Sequence, residues 1–178
     1  QAPGGLVNVG LATPPAALGV DKGPDELGIV AFGEGDVSIF LRDDLLVNES
    51  RVFTANGGDI LVVASGGDID AGRGAQTSLS APAPATITDI DGFGFQTVPA
   101  GLAGSGIRAL VPVEGNAGAV ALGPLVGEVI ASDAGIAGDT VFVPPGTDLS
   151  NIQSTGAAPA PPPAPPATTD VSASTKAA

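Results

Sequence analysis

The side chains in this chain that could do chemistry are carboxylates. Asp43-Asp44, Asp68-Ile69-Asp70 and Asp89-Ile90-Asp91 set acids next to each other or one residue apart, with Arg42 and Arg73 close by in sequence. Alternate residues of a strand share a face, so Asp68 and Asp70 could point the same way with Arg73 beside them. Paired carboxylates of that kind cleave glycosidic bonds in some β-helical hydrolases. The competing reading is that these acids sit in turns, capping backbone amides and making a salt bridge. That reading is favoured, because sugar-cleaving sites also need aromatic, Lys or His groups to hold the substrate. The sequence has no His, Cys, Tyr, Trp or Met, and aromatic residues make up only 3% of it. Ser-His-Asp, Cys-His and His-metal sites are thereby excluded, and the chain reads as a non-enzyme.

Other motifs are weaker. Asp89-Ile90-Asp91-Gly92 starts like a calcium loop but lacks the third acid and the closing Glu, so a solvated turn is expected and Ca2+ is at most an optional ligand. No cofactor is expected. Asn48-Glu49-Ser50 fits a glycosylation sequon by a three-residue match that arises easily by chance. The Gly-rich stretch 101–106 lacks the Lys of a phosphate loop and reads as a turn.

The elements that must position these residues are short strands. Gly and Pro, 27 and 17 residues, punctuate the chain too densely for long helices. A hydrophobic content of 43% is still enough for a core of Val, Ile, Leu and Ala. The clearest strands are predicted at 37–41, 60–64, 119–122, 129–131 and 141–143. Several follow one phrase, Gly35-Asp36, Gly58-Asp59, Gly67-Asp68 and Gly138-Asp139. Gly35 and Gly58 are 23 residues apart and Gly118 and Gly138 are 20 apart, a spacing suited to one coil of a solenoid. In this phrase Gly is expected to supply positive φ, and Asp to bond nearby backbone amides. A β-sandwich is the competing all-β fold, but only Asn56-Gly57 carries a hairpin signal. Ile29-Val30-Ala31-Phe32 and Ile60-Leu61-Val62-Val63 are apolar at consecutive positions, so both faces of those strands call for cover, by the chain's own arms or a neighbour.

Two arms flank the strands. Residues 1–26 contain the alternating run Val7-Asn8-Val9-Gly10-Leu11, and 156–178 contain a Pro/Ala run including Pro161, Pro162 and Pro163 that must be extended polyproline II. The domain plan is therefore an arm over 1–26, a strand-rich domain over 27–155 and an arm over 156–178. Val7, Val9, Leu11, Pro161, Pro162 and Pro163 are the candidate assembly residues. Gln1 in place of an initiator Met points to a processed fragment whose signal peptide is gone. With 19 acidic and 6 basic residues the net charge is −13, which repels nucleic acid and favours solubility. The longest weakly polar run, 117–127, is too short to span a bilayer.

Five phrases in one order resemble the C-terminal region of filamentous-haemagglutinin family proteins, bacterial exoproteins of the two-partner secretion type. They are Leu45-Leu46-Val47-Asn48-Glu49-Ser50-Arg51-Val52-Phe53-Thr54, Gly57-Gly58-Asp59-Ile60-Leu61, Gly67-Asp68-Ile69-Asp70-Ala71-Gly72-Arg73-Gly74-Ala75, Gly104-Ser105-Gly106-Ile107-Arg108 and Asp133-Ala134-Gly135-Ile136-Ala137-Gly138. The resemblance covers about 27–156. It departs at Ala117-Gly118-Ala119-Val120, where such proteins often carry a Gly-Asp-Val-Asp phrase. It implies an all-β, right-handed parallel β-helix, export, and a place outside the cell or at its outer surface. The expected function is a structural subunit of an extracellular filament or adhesin fibre, self-assembling through coil stacking and exchanged arms, with cell-surface glycans as a further partner. The alternatives are a monomeric ligand-binding adhesin domain and an Asp-based carbohydrate-active enzyme.

Overall fold

The computed structural model describes residues 5–10, 27–75, 102, 104–112 and 114–155, and the backbone of 85–88 and 95–98. These residues are all-β, with no helix among them. The chain visits three sheets in turn, and every ladder within the three is parallel. It opens with β1 (Val7–Asn8) and β2 (Gly28–Ala31). Three successive passes follow: β3 (Val37–Leu41), β4 (Leu45–Leu46), β5 (Arg51–Thr54); β6 (Ile60–Ala64), β7 (Ile69–Asp70), then β10 (Gly106–Ala109); and β11 (Val120–Pro124), β12 (Val129–Ile130), β13 (Ile136–Gly138). β14 (Val141–Phe142) and β15 (Ile152–Ser154) close the series. Sheet A is β3-β6-β11-β14, sheet B is β1-β4-β7-β12, and sheet C is β2-β5-β10-β13-β15. Stacked strands of this kind are consistent with a β-helix. They argue against the sandwich, whose sheets would be antiparallel.

The register explains the composition. Val37, Ile60, Val120 and Val141 are partners across sheet A, and Ile39, Val62 and Leu122 form the next inward row. Leu45, Ile69 and Val129 stack in sheet B, and Val52, Ile107, Ile136 and Ile152 in sheet C. These rows form one core. Neighbouring strands lie about 4.8 Å apart, so equivalent side chains touch, and β-branched aliphatics fill that gap without large rings. Each fully buried Val or Ile contributes about 1.5–3 kcal/mol.

Period-2 alternation holds in sheet A, where β3 and β6 bury every other residue. The outward positions there are Ser38, Leu61, Ala121 and Phe142, then Phe40, Val63 and Gly123, none of them charged. Sheet C differs, since all of β5 and β10 is buried. Both runs expected to need cover keep exposed apolar residues, Ile29 at 37% and Phe32 at 49% on and just after β2, and Leu61 at 37% on β6.

Gly57 (φ 82°) lies in the turn that carries the chain from sheet C to sheet A, so Asn56-Gly57 is a corner and not a hairpin. The hairpin is β8 (Ala85–Thr88) with β9 (Phe95–Val98), the one antiparallel ladder among the described strands. It sits inside a lengthened corner, residues 71–105, between β7 and β10. The equivalent corner is 47–50 one coil earlier and 131–135 one coil later.

The glycines of the Gly-Asp phrase do not supply positive φ, which corrects the expectation. Their role is close approach. A Cβ on Gly118 would lie inside the van der Waals contact of the Gly58 carbonyl oxygen, and one on Gly58 would meet that of Gly35 in the same way. Gly35 itself has open space around it. Gly118→Ala is therefore expected to cost about 1–3 kcal/mol by urea denaturation, as overpacking does. Gly35→Ala should stay within about 0.5 kcal/mol of the parent.

Candidate functional site

Four aspartates line two corners of the stack, where each accepts a hydrogen bond from an amide of the coil that follows. At the corner entering sheet A, the Asp59 amide donates to Asp36 Oδ1 at 2.8 Å and the Ala119 amide donates to Asp59 Oδ1 at 2.8 Å. At the corner entering sheet B, the Asp68 amide donates to Asp44 Oδ1 at 2.9 Å and the Glu128 amide to Asp68 Oδ1 at 2.9 Å. The preceding glycines, Gly58 and Gly67, let the coils close to this distance. Like charges one coil apart repel by about 1 kcal/mol in water. A hydrogen bond to a charged group contributes about 1.5–3 kcal/mol, so the ladder is net stabilising. The first ladder ends at Ala119, the departure from the Gly-Asp phrase noted in the sequence, because a methyl group accepts nothing.

The paired carboxylates are occupied by this structural work. Asp68 and Asp70 flank the buried Ile69 on β7 and are half-buried on the outer side. Asp68 accepts from Glu128, and Asp70 Oδ1 accepts from the Gly72 amide at 2.8 Å. Arg73 is exposed, and its backbone amide donates to the Asn48 carbonyl at 2.7 Å. Arg42 lies on another corner, where Nε donates to Asp43 Oδ1 at 2.8 Å and Nη2 to Oδ2 at 3.2 Å. No group of three potential metal ligands occurs among the described residues. Asp89 and Asp91 lie outside the described residues. Asn48 (φ 57°) uses Nδ2 to donate to Asn8 Oδ1 at 2.8 Å and to the Gly10 carbonyl, so the sequon amide is a tie between coils.

Of the candidate assembly residues, Val7 and Val9 pack against the core, and their amides donate to Asp44 O at 2.9 Å and Leu46 O at 3.0 Å. Leu11, Pro161, Pro162 and Pro163 lie outside the described residues.

A family model described as filamentous haemagglutinin family outer membrane protein matches residues 57–162, 106 of the 178 residues. The chain belongs to this family. No curated protein matches it, and neither does any solved structure. The filamentous haemagglutinin match starts at Gly57, later than the resembling phrases do, and runs into the Pro/Ala segment. It takes in four of the five phrases, leaving out the one at 45–54. The family's description makes this a surface-associated protein.

Within the filamentous haemagglutinin region lies a cation that the sequence reading passed over. Arg108 on β10 is buried at 3% exposure, and it donates through Nε to Ser105 O at 3.1 Å and through Nη2 to Ala134 O at 2.7 Å, tying two coils together. Burial pushes its pKa below the ordinary guanidinium value. Arg51, on the neighbouring strand β5 and 5% exposed, donates to the carbonyls of Leu27 and Leu102. An Arg in a four-residue run reads as exposed, and here it saturates corner carbonyls instead.

One measurement tests the ladder and a second tests the turn carboxylate of Asp148. Asp59→Ala is expected to lower unfolding stability by about 1–2 kcal/mol while Asp59→Asn, which keeps the acceptor oxygen, loses less than half of that. The second concerns pH. The Ser150 amide, donating at 2.9 Å, holds the Asp148 carboxyl below its usual pKa, and Arg42 does the same for Asp43. A carboxylate depressed in the folded state adds stability above its unfolded pKa of about 3.9, and that stability is lost as pH falls through the folded value. The difference in melting temperature between the parent and Asp148→Asn should therefore be present at pH 6 and vanish on acidification through that window.

Proposed function

We propose that the chain is a structural unit of an extracellular filament or surface adhesin fibre, built on a right-handed parallel β-helix. Copies assemble by stacking their coils and exchanging the segments 1–26 and 156–178. The reading rests on family membership, which supports an adhesin-like surface protein, and on one observation of the fold. Each sheet ends on strands with a single neighbour among the described residues: β3 and β14 in sheet A, β1 and β12 in sheet B, β2 and β15 in sheet C. All run in the same direction, so the edge at one end has the hydrogen-bond polarity that the edge at the other end needs. Open edges recruit strands, and a head-to-tail contact propagates as a fibre. Val7, Val9, Leu11, Pro161, Pro162 and Pro163 are the residues assigned to the exchange. The engagement of Asp68 and Asp70 in backbone bonds favours a structural role over carbohydrate cleavage.

A second reading, a monomeric adhesin domain that binds cell-surface glycans, is favoured by a cleft of about 540 Å3 beside β12. Its walls include Glu128, Ser132, Thr147, Asp148 and Asn151. Electron microscopy of the purified protein separates the two. Fibres are expected from the full chain and none after deletion of residues 1–26, whereas full-length monomers that stay monomeric while binding glycans would sink the filament.

A further inference from the structure

Sheets A and C each end on a strand that has no counterpart in sheet B among the described residues. β14 lies beyond β11 and β15 beyond β13, whereas β12 has β7 as its single neighbour. The chain passes this place in residues 144–151, which form turns and not a strand. Pro144 and Pro145 have no amide to give to a ladder. The Thr147 amide and hydroxyl donate back to the Pro144 carbonyl at 3.3 and 2.9 Å, and the Ser150 amide donates to Asp148 Oδ1 at 2.9 Å. The cleft of about 540 Å3 lies between these turns and β12. A strand residue takes up about 160 Å3, from a rise of about 3.3 Å, a strand spacing of about 4.8 Å and a sheet separation of about 10 Å. The cleft therefore has room for about three residues, the size of one short strand of sheet B.

The side that β12 turns to the cleft is a ladder edge. The Glu128 and Ile130 carbonyls accept from the amides of Ile69 and Ala71 at 2.9 and 3.0 Å, so the alternate residues, Val129 and Ala131, point their backbone groups the other way. The Ala131 carbonyl accepts from Asn151 Nδ2 at 3.1 Å, a side chain in the role that the amide of a further strand would have. The Val129 and Ala131 amides have no acceptor among the described residues. Backbone donors at strand spacing are met by the carbonyls of an added strand. Its inward side chain continues the row Val7, Leu45, Ile69, Val129, and is therefore aliphatic.

Charge and geometry choose the source of that strand. Glu128 and Asp148 are exposed at the cleft, and none of the described residues that line it is basic. β1 of a second copy brings no complement to them, since residues 1–20 carry no charge. Nor can a stacked copy deliver it: β1 and β2 pair with β4 and β5 of one coil, so with β1 on β12, β2 would fall on β15. We propose that the cleft takes an extended basic segment of another protein as the next strand of sheet B. An aliphatic side chain of that segment packs over Val129, and its Lys or Arg residues stand beside Glu128 and Asp148. The site stands whether or not copies form fibres, and it gives to a polypeptide the cleft that the adhesin reading gives to glycans.

The probe is the blocked peptide Lys-Val-Thr-Val-Lys, added to the isotope-enriched full-length chain. At saturation the Val129 and Ala131 amides should exchange with solvent about tenfold more slowly, while those of Leu61 and Phe142 in sheet A keep their rates. Methylation of the peptide's threonine nitrogen, which faces the Val129 carbonyl, should abolish the protection. Replacing both lysines by glutamate, or Glu128→Gln in the protein, should weaken binding several-fold. The proposal is overturned if exchange does not slow, if the methylated or the acidic peptide protects as well, or if chitotriose protects these amides and the peptide does not. Protection already present in the free chain overturns it too. The occupant is then the chain itself or, where dilution removes the protection, a second copy.

Discussion

The distance between one coil and the next governs this molecule. Parallel strands that share a hydrogen-bond ladder are held about 4.8 Å apart, and no side chain can change that figure. Every residue is therefore tested against the residue at the same place one coil away. Aliphatic side chains pass on the inside, as in the row Val37, Ile60, Val120. At the corners the backbones approach so closely that only a glycine fits over a glycine, as Gly118 does over Gly58. The narrow composition of the chain, with few aromatic residues and abundant Val, Ala and Gly, follows from this spacing.

The same spacing would make a strongly acidic chain difficult to stack. Carboxylates at equivalent corners come close to one another, yet the amide of the next coil arrives at the same point and is itself in need of an acceptor. Repulsion between coils is thus converted into a bond between coils at Asp36, Asp44, Asp59 and Asp68. The buried guanidinium groups of Arg51 and Arg108 do the converse job on sheet C, where they donate to the carbonyls of Leu27 and Ala134. Acidic groups serve the outer corners and basic groups the covered face.

Much of this was legible in the residues. The strands 37–41 and 60–64 were readable to the residue, because each is a mainly apolar run that opens directly behind a Gly-Asp phrase. Val37 to Ile60 repeats the 23-residue spacing read between Gly35 and Gly58. Sheet C was harder to see. Arg51-Val52-Phe53-Thr54 and Gly106-Ile107-Arg108-Ala109 are buried on both faces, which erases the period of two, and each contains a charge that argues against burial. The corner glycines were assigned the wrong physical cause, since steric proximity between distant residues leaves no local signal while positive φ is a local property. The hairpin of β8 and β9 was not read, although a solvated turn was expected at Asp89-Ile90-Asp91-Gly92, between its two strands in sequence. The paired carboxylates were found at once, and their partners, amides some 24 and 60 residues away, could be found only in three dimensions.

The lengthened corner between β7 and β10 has a wider consequence. Ile60 pairs with Val120 across a 60-residue interval with the same alignment that Val37 and Ile60 reach across 23. Tens of residues enter at one turn, and the ladders on either side resume without slipping a step. New surface can thus be grafted at one bend while the strands before and after it keep their alignment.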